Sequence, residues 1–259
     1  MQIREKIVLI TGASEGIGAA TAVAFARRGA ILAVTARSED RLRALGLPQA
    51  FVVPGDLTDS SDRRRIVEAT LAHYGRIDIL INNAGVGTYA RAYEAPLDQV
   101  RTMFELNFFA VLEMTQLAAS AMRKQGSGMI VNVSSIVGLV TMPWSTLYSA
   151  SKYAVCSLTD GLRLELRPFG IHAMAVCPGY VRTGFQSHVL AGGAPANMAG
   201  VRNRFAITAE QCAEAIARGV ERNARTVATP RVGWVMVAAA RLLPRFVDAQ
   251  MERTWQRNR

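Results

Sequence analysis

Over the first two-thirds of the chain, short β-branched runs alternate with longer amphipathic stretches, and this alternation narrows the fold more than any other feature. The strand-like runs are Ile7–Thr11, Ile31–Thr35, Ala50–Val53, Ile77–Ile81, Met129–Val133 and His172–Cys177. Between them lie the helical patterns Ile17–Arg28, Glu39–Leu45, Asp62–Tyr74, Leu97–Lys124 and Leu147–Arg167. A strand that feeds a helix and returns to the same sheet crosses over right-handed, so the helices cover both faces of a parallel sheet. Six such units make a doubly wound α/β sheet the economical topology. Ser38, ahead of Glu39-Asp40-Arg41, has the chemistry of an N-cap, and Gly29 after Arg27-Arg28 that of a helix stop.

Composition agrees with a large core: 50% of the 259 residues are hydrophobic and 19% charged. With no internal repeat and no linker, a single domain spanning 1–259 is expected. It divides into a core at 6–183, a mobile substrate loop at 184–207 around the small-residue stretch Ala191–Asn197, and C-terminal helices and a tail at 208–259. That last part holds a helical pattern near Ala209–Arg222, a short run Thr226–Thr229 and an apolar tail, Val232–Leu243. The first residues carry no apolar leader and no 18-residue uncharged stretch occurs, so a cytoplasmic location is expected. Cys156, Cys177 and Cys212 are scattered, as buried reduced thiols would be. His73, His172 and His188 are isolated, so no metal site is expected. The net charge of +10 is concentrated towards the end, with eleven arginines against five carboxylates from Gly200 onward. An anionic surface or a phosphorylated ligand would suit it, but so does a solvated arginine-rich face. No nucleic-acid-binding module accompanies the charge, so no nucleic-acid partner is expected.

Thr11-Gly12-Ala13-Ser14-Glu15-Gly16-Ile17-Gly18 lies where the first strand meets the first helix. Glycines there permit a tight turn and close backbone approach to a pyrophosphate, and the helix N-terminus adds free N–H groups. No Gly-Lys-Ser/Thr follows, which disfavours a nucleotide-hydrolysing P-loop; in this context a dinucleotide site is the better reading, and the fold is of the Rossmann type. The second strand then discriminates between cofactors. It ends Thr35-Ala36-Arg37-Ser38, with Arg37 where NAD-binding folds usually present an acid. An arginine fork matches a 2′-phosphate, with Ser14 or Ser38 adding hydroxyl contacts, and this favours NADP(H). The alternative leaves Arg37 on the surface, with Glu39 or Asp40 taking the ribose of NAD(H). Asp56-Leu57, after the third strand, would flank the adenine.

Tyr148 and Lys152 are four apart in a helical stretch and share a face. A phenol titrates near ~10, and a nearby ammonium would favour its phenolate and bring it towards the range of a general acid–base. By itself a Tyr-x3-Lys pair is weak evidence. Here Thr11–Gly18, Asn82-Asn83-Ala84-Gly85, Asn107, Ser135, Tyr148-x3-Lys152 and Pro178-Gly179 occur together, in the order and spacing of the short-chain dehydrogenase/reductase family, which the chain resembles from about Lys6 to Thr183. The resemblance implies an Asn107–Ser135–Tyr148–Lys152 catalytic group. Of the adjacent Ser134 and Ser135, the family's thirteen-residue spacing selects Ser135, and at a strand end the two would point opposite ways.

By the same resemblance, Ser135 hydrogen-bonds the substrate oxygen and Tyr148 protonates it as hydride reaches the carbon. Lys152 lowers the tyrosine pKa and holds the nicotinamide ribose, while Asn107 interrupts its helix and positions a water. Gly12, Ser14, Gly16, Ile17, Gly18, Asn83, Ala84 and Gly85 would line the cofactor, with Pro178, Gly179, Val181 and Thr183 beside the carboxamide. Glu15 departs from the pattern, since NADP-preferring relatives often carry a basic residue there; this keeps NAD(H) open.

Val137, Met142, Trp144, Tyr180 and Phe185, with Ser135 and Tyr148, are the candidate substrate residues. They are apolar or aromatic, as a lipophilic ketone, aldehyde or secondary alcohol would require. Phe185 to Phe205 would act as a lid. The tail admits two readings: a helix packed over the pocket or another subunit, or a peripheral membrane contact near a greasy substrate pool. The resemblance also implies a homodimer or homotetramer through the helices near Leu97–Lys124 and Leu147–Arg167. A different class of function, an NADP(H)-sensing binding protein without turnover, would be expected to have lost part of the four-residue group.

Overall fold

The computed structural model describes residues 1–190 and 205–256. Strands β1 (Ile7–Thr11), β2 (Ile31–Thr35), β3 (Phe51–Val52), β4 (Ile79–Asn82), β5 (Gly128–Val133) and β6 (Ile171–Pro178) form one parallel sheet with a seventh strand, Thr226–Thr229, at its edge. Two-residue strands β7 (Val181–Arg182) and β8 (Ile207–Thr208) pair separately, which makes the seventh strand β9. The large sheet runs β3-β2-β1-β4-β5-β6-β9, so the chain reverses its direction of travel between β1 and β4. A crevice opens at such a reversal, outside the carboxyl ends of the strands.

Helices α1 (Gly16–Ala26), α2 (Glu39–Arg43), α3 (Ser60–Tyr74), α4 (Leu97–Phe104), α5 (Ala110–Gln125), α6 (Thr146–Glu165) and α7 (Ala209–Glu221) connect the strands. Alternation along the strands explains the layering. Val8, Ile10, Val34 and Val131 face one side, against Ala22 and Phe25 of α1 and Ile216 and Val220 of α7. Leu9, Ala33, Leu80 and Ile130 face the other, against Ile66 of α3 and Met114, Ala118 and Met122 of α5. With both faces covered, the central strands are apolar throughout. Two further helices, α8 (Gly233–Leu242) and α9 (Pro244–Gln256), form the C-terminal helical tail.

Four elements differ from the sequence reading. The Ala50–Val53 run shortens to two residues, because this edge strand pairs only with β2 and runs into Pro54. Thr226–Thr229, read only as a short run, completes the sheet by pairing with β6 from Ala175↔Thr226 to Pro178↔Thr229. The helical pattern Leu97–Lys124, for which the resemblance implies only a local interruption at Asn107, is two helices joined by a π-helical turn at Glu105–Phe109. The apolar tail is a helix that ends at Leu242, with Pro244 opening the next one. Ser38 does cap α2, accepting from the Arg41 N–H at 3.4 Å, and Gly29 takes the left-handed φ of +77° that ends α1's extension.

Candidate active site

The glycine loop leaves β1 and enters α1 under the β4 exit. Gly12 has φ +62°, and a Cβ there would lie 2.8 Å from the Ala84 Cα. At Gly18 a Cβ would stand 2.1 Å from the Gly12 carbonyl oxygen, so side chains are excluded where the two strand exits meet. Thr11 holds this arrangement. Its hydroxyl donates to the Ile81 carbonyl and accepts from the N–H groups of Asn83 and Ala84 at 2.9 and 3.1 Å. The Asn83 amide reciprocates by donating to the carbonyls of Thr11 and Gly12. Glu15 occupies the N-cap position of α1 without a side-chain cap bond, which leaves the first-turn N–H groups for an anion.

Across the crevice, β5 ends at two serines whose side chains diverge. Ser134 is buried and donates to the Lys152 carbonyl at 2.8 Å, bracing α6 from the core side. Ser135 faces the site, bonded to the Pro178 carbonyl at 3.4 Å and accepting from the Val137 N–H at 3.3 Å. Tyr148 and Lys152 project from α6. The Lys152 Nζ lies 5.7 Å from the centroid of the Tyr148 ring and donates to the Val133 carbonyl at 3.1 Å. Asn107 is fully buried on the π turn. Its Oδ1 accepts from the Val86 N–H at 2.9 Å, and its Nδ2 donates to the Val86 carbonyl and to Ser151 Oγ at 2.9 and 3.1 Å. The Asn107 amide thus ties the β4 exit loop to α6. Gly85 passes between them, where a Cβ would be 3.0 Å from Asn107 Oδ1 and 3.3 Å from Lys152 Nζ.

The electrostatics differ from the expectation that Lys152 lowers the phenol. Burial pushes the Tyr148 pKa up, with the Ser135 hydrogen bond pulling against it and Tyr89 adding to the rise. Burial pulls the Lys152 ammonium down to about 8, while the neighbouring Cys156 and Cys177 oppose that shift. Taking either group's charge out of water is the dominant cost here, because the ammonium is aimed at a carbonyl and not at the phenol oxygen.

Other residues singled out from the sequence are distributed as follows. Arg37 is exposed at the end of β2, beside Ser38, and among the described residues no carboxylate pairs with it. Arg41, which the sequence reading did not select, reaches across to Glu15 at 3.4 Å. The Asp56 carboxylate caps Thr58, accepting from its N–H and hydroxyl, and Leu57 is buried in the core against α3. Pro178 and Val181 are buried, and Gly179 and Tyr180 half-buried, on the path from β6 to β7. The Thr183 side chain caps the turn Gly184–His188 and lies over Gly16. That turn carries Phe185 onto the site, its ring 5.8 Å from that of Tyr148. Val137 and Met142 share an apolar cluster with Tyr148, and Val237, Met236 and Ala240 of α8 pack against the same cluster. The inner face of the tail therefore backs the pocket wall. Trp144 sits on a left-handed turn (φ +65°), its ring under the Arg91 guanidinium at 5.3 Å. The Ala191–Asn197 stretch and the middle of the expected lid lie outside the described residues.

Thr11, Ser151 and Tyr89 are the site residues that sequence reasoning passed over. Thr11 stood in the quoted loop and Ser151 one position before Lys152, but only the fold reveals their partners. Among the described residues no group of histidine, cysteine and carboxylate side chains could hold a metal ion, and no helix is long and apolar enough to cross a membrane.

Comparison with known proteins agrees with this geometry. A family model described as short chain dehydrogenase matches residues 6–192. An uncharacterized oxidoreductase of Thermotoga maritima is 39% identical over 186 residues, covering 69% of this chain and 73% of the relative. A 3-ketodihydrosphingosine reductase of Bacteroides thetaiotaomicron is 39% identical over 183 residues, covering 71% of this chain and 66% of the relative. Among solved structures, a short-chain dehydrogenase from Sphingobium yanoikuyae in complex with NADPH superimposes with a TM-score of 0.78 at 31% identity, covering 92% of this chain and 94% of that one. Further structures of the same fold are complexed with NAD or NADP.

Proposed function

Since the chain belongs to the short-chain dehydrogenase family, we propose that it interconverts a carbonyl and a secondary alcohol on a lipophilic small molecule with NADP(H), Tyr148 serving as general acid–base. The observation that carries this reading is the convergence of Ser135, Tyr148 and Lys152 at one strand end, across from the glycine loop. The first turn of α1, which has no side-chain cap, fits a pyrophosphate, and the exposed Arg37 fits a 2′-phosphate. Gly12, Ser14, Gly16, Ile17 and Gly18 would hold the pyrophosphate, Arg37 and Ser38 the ribose phosphate, and Asn83, Ala84, Gly85, Pro178, Gly179, Val181 and Thr183 the nicotinamide half. NAD(H) uses the same cradle without engaging Arg37. When bound, the nicotinamide supplies or accepts the hydride.

The residues of the chain do the rest. Ser135 donates to the substrate oxygen and orients it. Tyr148, half-buried and with its pKa pushed up by desolvation of the phenolate, is protonated and poised to give its proton to that oxygen in the reducing direction. Lys152 would hold the ribose hydroxyls and, with its ammonium turned from the Val133 carbonyl towards the phenol, would stabilise the phenolate left behind. Asn107 keeps the β4 exit loop and α6 in register. Apolar Val137, Met142 and Phe185 favour a lipophilic substrate, in keeping with the named activity of the Bacteroides relative. Tyr148→Phe is expected to abolish turnover of a ketone panel while NADPH affinity, followed by fluorescence titration, stays within threefold. Retained turnover would refute the role of the phenol.

A second reading concerns where the enzyme works. Six large apolar side chains between Val232 and Phe246 are exposed (Val232, Trp234, Val235, Leu242, Leu243 and Phe246), interleaved with Arg241 and Arg245. This favours a peripheral contact with an anionic bilayer, through the outer face of helices whose inner face backs the pocket. Replacing Val235, Leu242 and Phe246 by Ser should release the protein from phosphatidylserine vesicles; unchanged cosedimentation would refute that contact. Exposed Leu97, Phe109 and Leu164 on the α4–α6 surface favour a homodimer or homotetramer, to be read from its mass in solution.

A further inference from the structure

Behind the site, a buried arginine joins three elements. Arg63, on α3, is 5% exposed. Its Nη1 donates to the Leu57 carbonyl at 2.9 Å and to Glu105 Oε1 at 2.6 Å, and its Nε makes an ion pair with Glu113 Oε2 at 2.7 Å without the alignment of a hydrogen bond. Glu105 opens the π turn and Glu113 follows it in the first turn of α5. The two carboxylates therefore straddle the turn that carries Asn107.

The spacing of these acids matters. Eight residues of regular α-helix rotate about 80° past two full turns, which would carry Glu113 away from the face that Glu105 occupies. A π turn absorbs about one residue, so the same eight behave as seven and fall within about 20° of alignment. Both carboxylates can meet one buried guanidinium only while the π turn persists. Relaxation to a continuous α-helix would rotate Asn107 by about 100° relative to one flank, off its two bonds to Val86 and its bond to Ser151. A buried cation without its carboxylates is strongly disfavoured, so Arg63 penalises the relaxed helix. The Nη1 bond to the Leu57 carbonyl ties the staple to the loop after β3.

We propose that Arg63 is a positioning residue for the reaction: by pairing with Glu105 and Glu113 it locks the π turn that presents Asn107 to the β4 exit loop and α6. This rests on the reading of Asn107 as part of the catalytic group. The test is a double-mutant cycle between Arg63→Met and Asn107→Ala, run on the full chain with NADPH and one active ketone, with urea unfolding to confirm folding. Arg63→Met is expected to lower kcat ten- to hundredfold while KM for the ketone and the Kd for NADPH stay within threefold. In the Asn107→Ala background it should lower kcat by less than threefold further, because its effect passes through Asn107. Arg63→Lys should recover at least a third of the lost kcat. Independent, multiplying losses, or no loss from Arg63→Met, would overturn the proposal. If Arg63→Met does not fold, Glu105→Gln takes its place in the same cycle, with a three- to tenfold loss expected and the same two outcomes deciding. If Asn107→Ala alone leaves kcat unchanged, the reading of Asn107 has failed and the proposal falls with it.

Discussion

Lys152→Met should inactivate the protein and yet stabilise it at neutral pH, with a stability difference that shrinks as pH rises. Lys152 is 4% exposed, and burial pulls its ammonium from the ordinary 10.5 down to about 8. Keeping that charge in the folded site at pH 7 therefore costs about 3 kcal/mol relative to the unfolded chain. Methionine fills a similar volume without charge, but it abandons the bond to the Val133 carbonyl, which offsets about 1 kcal/mol. A net stabilisation of about 2 kcal/mol is expected at pH 7. Between the two pKa values the unfolded chain binds more protons at Lys152 than the folded one does, so this group makes the wild type more stable as pH climbs. Its penalty is fully present below about 8 and gone above 10.5. At pH 9.5 it falls to about 1 kcal/mol, so the variant's advantage should shrink by about 2 kcal/mol between pH 7 and 9.5. Urea unfolding of both proteins at the two pH values measures this directly. An advantage that stays constant across that range would mean that burial does not hold the ammonium below its ordinary range.

Arg37→Asp should shift the ratio of NADPH to NADH affinity ten- to hundredfold towards NADH, the loss of one charge-assisted contact being worth about 1.5–3 kcal/mol; an unchanged ratio by calorimetric titration would mean that the phosphate binds elsewhere. Phe185→Ala removes the ring that faces Tyr148 and should raise KM for a lipophilic ketone about ten- to hundredfold, from roughly 1.5–3 kcal/mol of lost apolar contact, while the Kd for NADPH holds. Gly18→Ala would put a methyl 2.1 Å from the Gly12 carbonyl and should cost about 1–3 kcal/mol of stability together with most of the NADPH affinity, read by urea unfolding and fluorescence titration.

The architecture was legible wherever local pattern and burial agree. The strands β1, β2, β4, β5 and β6 were read to within two residues, because a parallel strand buried on both faces must be an uninterrupted apolar run. Edge strands escape that rule. β3 and β9 pair on one side only, and Thr226–Thr229 is too short to announce its partner. The π turn was anticipated only as an interruption at Asn107; nothing in local propensity marks Glu105–Phe109, since its stability comes from partners on α3, α6 and the β4 exit loop.

By itself the sequence determined the chemistry that spacing can encode. A tyrosine and a lysine one helical turn apart, a serine at a strand end and a glycine loop at a strand–helix junction are all local arrangements. The tertiary structure alone decided what surrounds them: that Ser134 braces the Lys152 carbonyl, that Lys152 donates to the Val133 carbonyl, and that Arg63 reaches both sides of the Asn107 turn. The physical reason is that burial and pairing across elements depend on which strand ends the fold brings together. Residues 63, 105 and 113 are brought together only once α3 and α5 lie side by side on the same face of the sheet.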